Sequence, residues 1–205
     1  MSFDLSVIPN KNIVLAVTGG IAAYKSAILV RRLKDAGFNV RVVMTQGAQA
    51  FITPLTFQAL SGNPVHTELL NPEAEAGMGH IELARWADLL LVAPASCNTL
   101  AKFAAGLADD LLSTLYLATK SPVWVAPAMN QQMWAAKATQ RNLNTLVEDG
   151  VHVIMPDAGS QACGDVGLGR MPEPEDLARQ VTEYFHKAQR AIAEKFGMLA
   201  GKHVV

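Results

Sequence analysis

Charge is scarce in this chain, and so are cysteine and clustered histidine. Of 205 residues 17% are charged, while 50% are hydrophobic; an ordinary soluble domain has about a quarter of its residues charged. The net charge is −1. No basic stripe is present and no aromatics interleave with basic residues, which argues against nucleic acid as a partner. The two cysteines, Cys97 and Cys163, lie far apart without Cys-x-x-Cys spacing. They are too few for a disulfide scaffold, and with no histidine cluster they offer no metal pattern. No apolar run reaches the roughly 18 residues of a membrane span. Met1 to Asn10 has neither the basic start nor the apolar body of a signal peptide. A cytoplasmic protein without a membrane partner is expected. A surface this poor in charge is also expected to be buried against copies of the same chain.

What is present alternates. Asn12 to Thr18 reads as a buried strand ending at Gly19-Gly20, and Ile21 to Ala36 follows with helical periodicity. Asn39 to Met44 is a second strand. Gln46 to Ser61 reads as two short helices broken at Pro54, and Asn63 to Gly79 as a polar connection. Ile81 to Ala87 is helical and Leu89 to Ala93 is a continuous apolar strand. Two helices fit Thr99 to Thr119. Val123 to Ala126 is a strand, Gln131 to Asp149 is mostly helical, and Val151 to Met155 is the last clear strand. Pro156 to Pro172 reads as a loop and Glu175 to Lys195 as a helix. Strands apolar on both faces, alternating with helices, predict an α/β protein: a three-layer, doubly wound parallel sheet of Rossmann-like type.

Three strand-to-helix turns then share the carboxyl edge of that sheet. Thr18-Gly19-Gly20-Ile21-Ala22-Ala23-Tyr24-Lys25 opens the first helix, whose free N–H groups suit a phosphate. It is neither Gly-x-Gly-x-x-Gly nor a Walker loop. The second strand ends in Thr45 and Gln46, without the acidic residue that grips a dinucleotide's ribose. A phosphate is expected there and a dinucleotide is not; a purely structural Gly-Gly turn is the alternative. In Pro94-Ala95-Ser96-Cys97-Asn98-Thr99 the short polar side chains either cap the next helix or hold the edge of a planar ring. Cys97, in apolar surroundings, reads as small filler. Pro127-Ala128-Met129-Asn130-Gln131-Gln132-Met133-Trp134 brings an amide that both donates and accepts, with Met129 and Met133 as apolar walls and Trp134 as packing.

Two further segments carry chemistry. His80 stands at the start of its helix, either as a plain surface cap or, because the dipole there disfavours imidazolium, as a base usable near neutral pH. Gln161-Ala162-Cys163-Gly164-Asp165-Val166-Gly167-Leu168-Gly169-Arg170-Met171 sets a thiol on a glycine-rich segment, either a passive surface loop or a piece that can be brought onto a substrate.

These motifs, in this order, resemble the homo-oligomeric flavin-containing cysteine decarboxylases, from about Asn12 to Pro174. The resemblance implies FMN in a flavodoxin-like domain, with Gly19, Gly20, Ile21, Thr45, Ser96, Cys97, Asn98, Thr99 and Ala128 around it. Cys97 stands where the family usually has alanine. His80, Asn130 and Cys163 match catalytic positions; Met129, Asn130, Gln161, Ala162, Gly164 and Arg170 are implied to meet the substrate. The implied activity is decarboxylation of 4'-phosphopantothenoylcysteine, in trimers that often build dodecamers. A peptidyl-cysteine decarboxylase and a non-catalytic FMN-binding subunit are the alternatives. Leu199 to Val205 resembles the opening of a ligase domain, so residues 1–195 are expected to form the decarboxylase domain and 196–205 a linker and the start of a truncated ligase domain.

Overall fold

The computed structural model describes residues 11–69, 79–162 and 164–200. At its centre is one sheet of six parallel strands. They are β1 (Asn12–Val17), β2 (Asn39–Met44), β3 (Val65–His66), β4 (Leu89–Ala95), β5 (Val123–Pro127) and β6 (His152–Val153), ordered β3-β2-β1-β4-β5-β6. The order reverses between β1 and β4, and a reversal of this kind leaves a crevice beyond the carboxyl ends of the strands. Without the two-residue β3 the same order is the flavodoxin-like one.

The alternation seen in the sequence becomes two cores. Ile13, Leu15 and Val17 of β1 face α1 (Ala23–Asp35), α3 (Pro54–Ser61) and α9 (Pro174–Ala200), through Leu29, Leu33, Phe57, Leu177 and Val181. Val14 and Ala16, one residue out of phase, face α4 (His80–Trp86), α5 (Cys97–Ala104), α6 (Leu111–Ala118) and α8 (Lys137–Glu148), through Leu83, Leu100, Leu115 and Leu143. Two short helices, α2 (Gln46–Gln49) and α7 (Gln131–Ala135), lie after β2 and β5. The expected doubly wound, three-layer fold is the observed one.

Several segments differ from the sequence reading. Pro156 to Pro172 is not a loop throughout. It contains β7 (Asp157–Ser160) and β8 (Val166–Arg170), an antiparallel pair outside the main sheet. Strand β4 runs on through Pro94 to Ala95; the ladder to β5 shifts register between Val92 and Ala95, which is where a proline is tolerated. The polar connection after α3 contains β3. Helix α9 continues past Lys195 to Ala200.

Candidate active site

The first turn is fixed by the strand beside it. Thr18 is fully buried. Its hydroxyl donates to the Pro94 carbonyl at 2.7 Å and accepts from the Ser96 N–H at 2.8 Å. One turn into α1, the buried Ser26 hydroxyl donates to the Ala93 carbonyl at 2.7 Å. The β1 and β4 turns are thus locked together at the switch point of the sheet. A Cβ on Gly19 would sit 3.0 Å from the Gly47 backbone, so α2 closes the back of this turn. A Cβ on Gly20 would meet nothing within 4 Å, and no side chain caps α1. This bare helix end opens onto a cavity of about 480 Å³, a size in the range of small-molecule sites.

The opposite wall is the Asn130 loop and the hairpin. Met129 N–H donates to the Gly169 carbonyl at 2.9 Å. Gly169 has φ 135°, and a Cβ there would fall on the Met129 carbonyl oxygen, so only glycine fits. Gln161 staples the same parts together: its Oε1 accepts from Gln131 N–H at 3.0 Å, and its Nε2 donates to the Leu168 carbonyl at 3.2 Å. Asn130 caps α7 through its Oδ1, which accepts from Gln132 N–H at 2.8 Å. Its Nδ2 donates to a carboxylate, that of Asp165, at 2.9 Å. Both ends of the amide are thus engaged within the chain, one in the α7 cap and one with Asp165 of the hairpin.

Of the residues expected from the sequence, Gly19, Gly20, Ile21, Ser96, Cys97, Ala128, Met129, Asn130, Gln161, Ala162 and Arg170 line this cavity. Thr45, Asn98, Thr99, His80 and Gly164 do not. Thr45 caps α2, its Oγ1 accepting from Ala48 N–H at 3.3 Å. Ser96 caps α5 by accepting from Thr99 N–H at 3.2 Å. Capping, the plainer of the two readings of this turn, is what these side chains do here. Cys97 lies 3.4 Å from the Thr139 hydroxyl through its sulfur. Trp134 packs into the core, as expected. His80 is the first residue of α4. Cys163 lies outside the described residues.

The structure adds Tyr24, Lys25, Ser160 and Met171 to the lining. Tyr24 and Lys25 belong to the first-turn motif, but nothing local in the sequence says that they face the cavity. Among the described residues no group of three His, Cys, Asp or Glu side chains could hold a metal ion.

A family model described as Flavoprotein matches residues 4–186. The chain belongs to the flavoprotein family. It is 58% identical over 175 residues to the coenzyme A biosynthesis bifunctional protein CoaBC of Escherichia coli strain K12, a match that covers 85% of this chain and 43% of the relative. This flavoprotein chain thus spans under half the length of that relative. Its fold matches a cysteine-to-serine mutant of PPC decarboxylase complexed with pantothenoylaminoethenethiol, with a TM-score of 0.76 and 35% identity over 86% of this chain and 99% of that one. It also matches the FMN-dependent cysteine decarboxylase SpaF, with a TM-score of 0.69 and 34% identity over 78% of this chain and 89% of that one. No helix among the described residues is long and apolar enough to cross a membrane.

Proposed function

We propose that this flavoprotein binds FMN and decarboxylates 4'-phosphopantothenoylcysteine to 4'-phosphopantetheine, a step of coenzyme A biosynthesis. The observation that carries the reading is the joining of the Asn130 loop to the glycine-rich hairpin across the cavity from the bare α1 N-terminus. The likeness to PPC decarboxylase and to the E. coli coenzyme A biosynthesis protein supports the substrate.

The residues fit FMN. The open space at Gly20 and the uncapped end of α1 suit a phosphate monoester. The β2 end has no acid for a second ribose. Ser96, Cys97 and Ala128 would line the ring, with Ile21 at the rim.

Losing carbon dioxide from an N-acylcysteine leaves a carbanion with no electron sink. FMN, when bound, would supply one by accepting a hydride from the CH2–SH group, which becomes a thioaldehyde, and by giving that hydride back once carbon dioxide has left. The chain's own residues do the rest. Asn130 holds the departing carboxylate, using the donor that Asp165 occupies here. His80 is the base for the thiol side of the substrate, and Cys163 gives the closing proton to the enethiolate. A relative whose cysteine-to-serine mutant is complexed with an aminoethenethiol supports that last role.

His80 does not line the cavity of its own chain. We therefore place the site at a contact between copies, in a trimer-based assembly. Ile21 and Tyr24 at the cavity rim are 63% and 56% exposed, apolar surface that a neighbour would cover. The bifunctional relative supports a ligase domain following this one in the full protein.

The deciding experiment is carbon dioxide release from phosphopantothenoylcysteine by the purified, FMN-loaded chain. Release from a cysteine-ended peptide alone would replace this substrate with a peptidyl one. Release from neither would overturn the decarboxylase reading.

A further inference from the structure

Lys25 stands where a lysine is costly. It is the third residue of α1, in the first turn, where the helix dipole favours anions. It is also only 5% exposed, and a buried ammonium must be paired. Its partners come from far along the chain. Nζ donates to the Met171 carbonyl at 2.8 Å and to Glu173 Oε1 at 2.8 Å. Both acceptors lie just beyond β8, the returning strand of the hairpin. The same Oε1 of Glu173 lies 3.8 Å from Arg170 Nη2. Arg170 in turn runs over Gly159 of β7, where a Cβ would come within 2.7 Å of its Nη1. Lys25 and Arg170 both line the cavity.

Four properties separate this set from an ordinary ion pair. The lysine is buried, so its partners are obligatory. Glu173 has a side chain 53% exposed, so its carboxylate needs neither lysine nor arginine for its own solvation. One carboxylate oxygen serves two cations that belong to opposite walls of the cavity. Lys25 also uses two of its three donors on protein acceptors, which makes it a tie rather than a ligand.

We propose that Lys25 and Glu173 are positioning residues. Lys25 pins the chain leaving β8 onto α1. Glu173, fixed by Lys25, holds the Arg170 guanidinium over the cavity, where it meets an anionic group of the substrate. The wall-to-wall distance is thereby set by the one buried cation of the first turn. Only the substrate named in the kinetic test rests on the decarboxylase reading.

The test uses the FMN-loaded chain and the variants Lys25→Met, Glu173→Gln, Arg170→Gln and the Glu173→Gln/Arg170→Gln double. Without substrate, amide hydrogen exchange across β7 and β8 should quicken about tenfold in Lys25→Met and Glu173→Gln, with β1 unchanged, because a charge-assisted tie is lost. With phosphopantothenoylcysteine, Glu173→Gln and Arg170→Gln should each raise KM about tenfold at nearly constant kcat. The double variant should be no worse than Arg170→Gln alone, since Glu173 acts through Arg170. Wild-type exchange in Glu173→Gln, or additive KM effects, would overturn the proposal. So would a Lys25→Met protein that loses FMN while its hairpin exchanges as wild type, because Lys25 would then be a cofactor ligand. If Lys25→Met does not fold, the half-exposed Glu173 still carries both measurements. A wild-type chain that releases no carbon dioxide sinks the decarboxylase reading and leaves the exchange result to judge this one.

Discussion

The two walls of the cavity are held by different kinds of contact. On one side, the turn from β1 into α1 rests on Thr18 and Ser26, both fully buried and both bonded to the β4 backbone. These bonds belong to the sheet, and the fold would need them with no ligand in view. On the other side, among the described residues, β7 and β8 pair only with each other. Val166 is 71% exposed and Leu168 44%, so little apolar burial holds the hairpin. What holds it is a set of polar ties, from Gln161, Asn130, Met129 and Lys25. Stability and function are therefore separable: damage to the first wall should unfold the protein, and damage to the second should disarm it.

The sharpest form of that contrast removes the chemistry alone. Cys163→Ser and His80→Asn should each lower turnover by about a thousandfold, the range of a lost acid or base. The failures should differ. Serine is a far weaker acid than a thiol, so Cys163→Ser should release carbon dioxide and accumulate the enethiol, while His80→Asn should leave the substrate intact. Mass spectrometry of an anaerobic single turnover reads both. An untouched substrate in Cys163→Ser would move that residue to an earlier step. If neighbouring copies complete the site, His80→Asn mixed with Asn130→Ala by refolding together should recover activity that neither has alone; no recovery would put the two residues in the same copy's site.

Next in size are two backbone-level substitutions. Gly169→Ala places a methyl on the Met129 carbonyl and should lower kcat/KM about a hundredfold by displacing the Asn130 loop. Because β8 is outside the main sheet, its melting temperature should hold to within about 2 °C. Thr18→Val should do the opposite. It leaves the Pro94 carbonyl and the Ser96 N–H without their partner, a cost of about 2–4 kcal/mol, or roughly 5–10 °C in a domain of this size. Calorimetry beside the carbon dioxide assay checks both. If Gly169→Ala melts as early as Thr18→Val, the hairpin is part of the fold and the distinction drawn here fails.

That distinction also explains what could be read from the sequence. The main sheet was legible because its strands are long and apolar on both faces, as in Leu89 to Ala93, and because the helices between them keep their period. The turns at its edge were legible because each follows such a strand. The hairpin was not. Its strands, Asp157–Ser160 and Val166–Arg170, show no apolar inward face, because the inward positions of β8 are Gly167 and Gly169, which serve close contact with the Asn130 loop rather than a bend. Strand β3 is two residues long and, among the described residues, pairs only with β2. Lys25 was visible as a residue, but its partners lie 146 and 148 positions away. Asn130 was legible as an amide that both donates and accepts; that Asp165 takes its Nδ2 is a fact of folding alone.

The smallest effect calibrates the others. Asp110 lies in neither wall. It caps α6 with a reciprocal bond to Ser113, and its carboxylate receives Lys102 Nζ at 2.7 Å. Burial pushes its carboxyl up, but the Lys102 and Ser113 hydrogen bonds outweigh that and hold it below the usual carboxylate range. Asp110→Ala should cost about 1 kcal/mol, the value of an N-cap. FMN binding and turnover should not change. The sign of the pH dependence follows from the lowered folded value: the carboxylate's contribution is complete above the unfolded pKa, near 3.9, and fades as pH falls through the folded one. The stability gap between wild type and Asp110→Ala should thus be flat from pH 7 to about 5 and narrow below about 4. Urea melts across that range measure it. A gap that grows on acidification would mean that the carboxyl is raised in the fold and that Lys102 does not hold it. A loss of turnover at unchanged FMN content would mean that stability and activity are linked even far from the cavity, and the separation of the two walls would no longer stand.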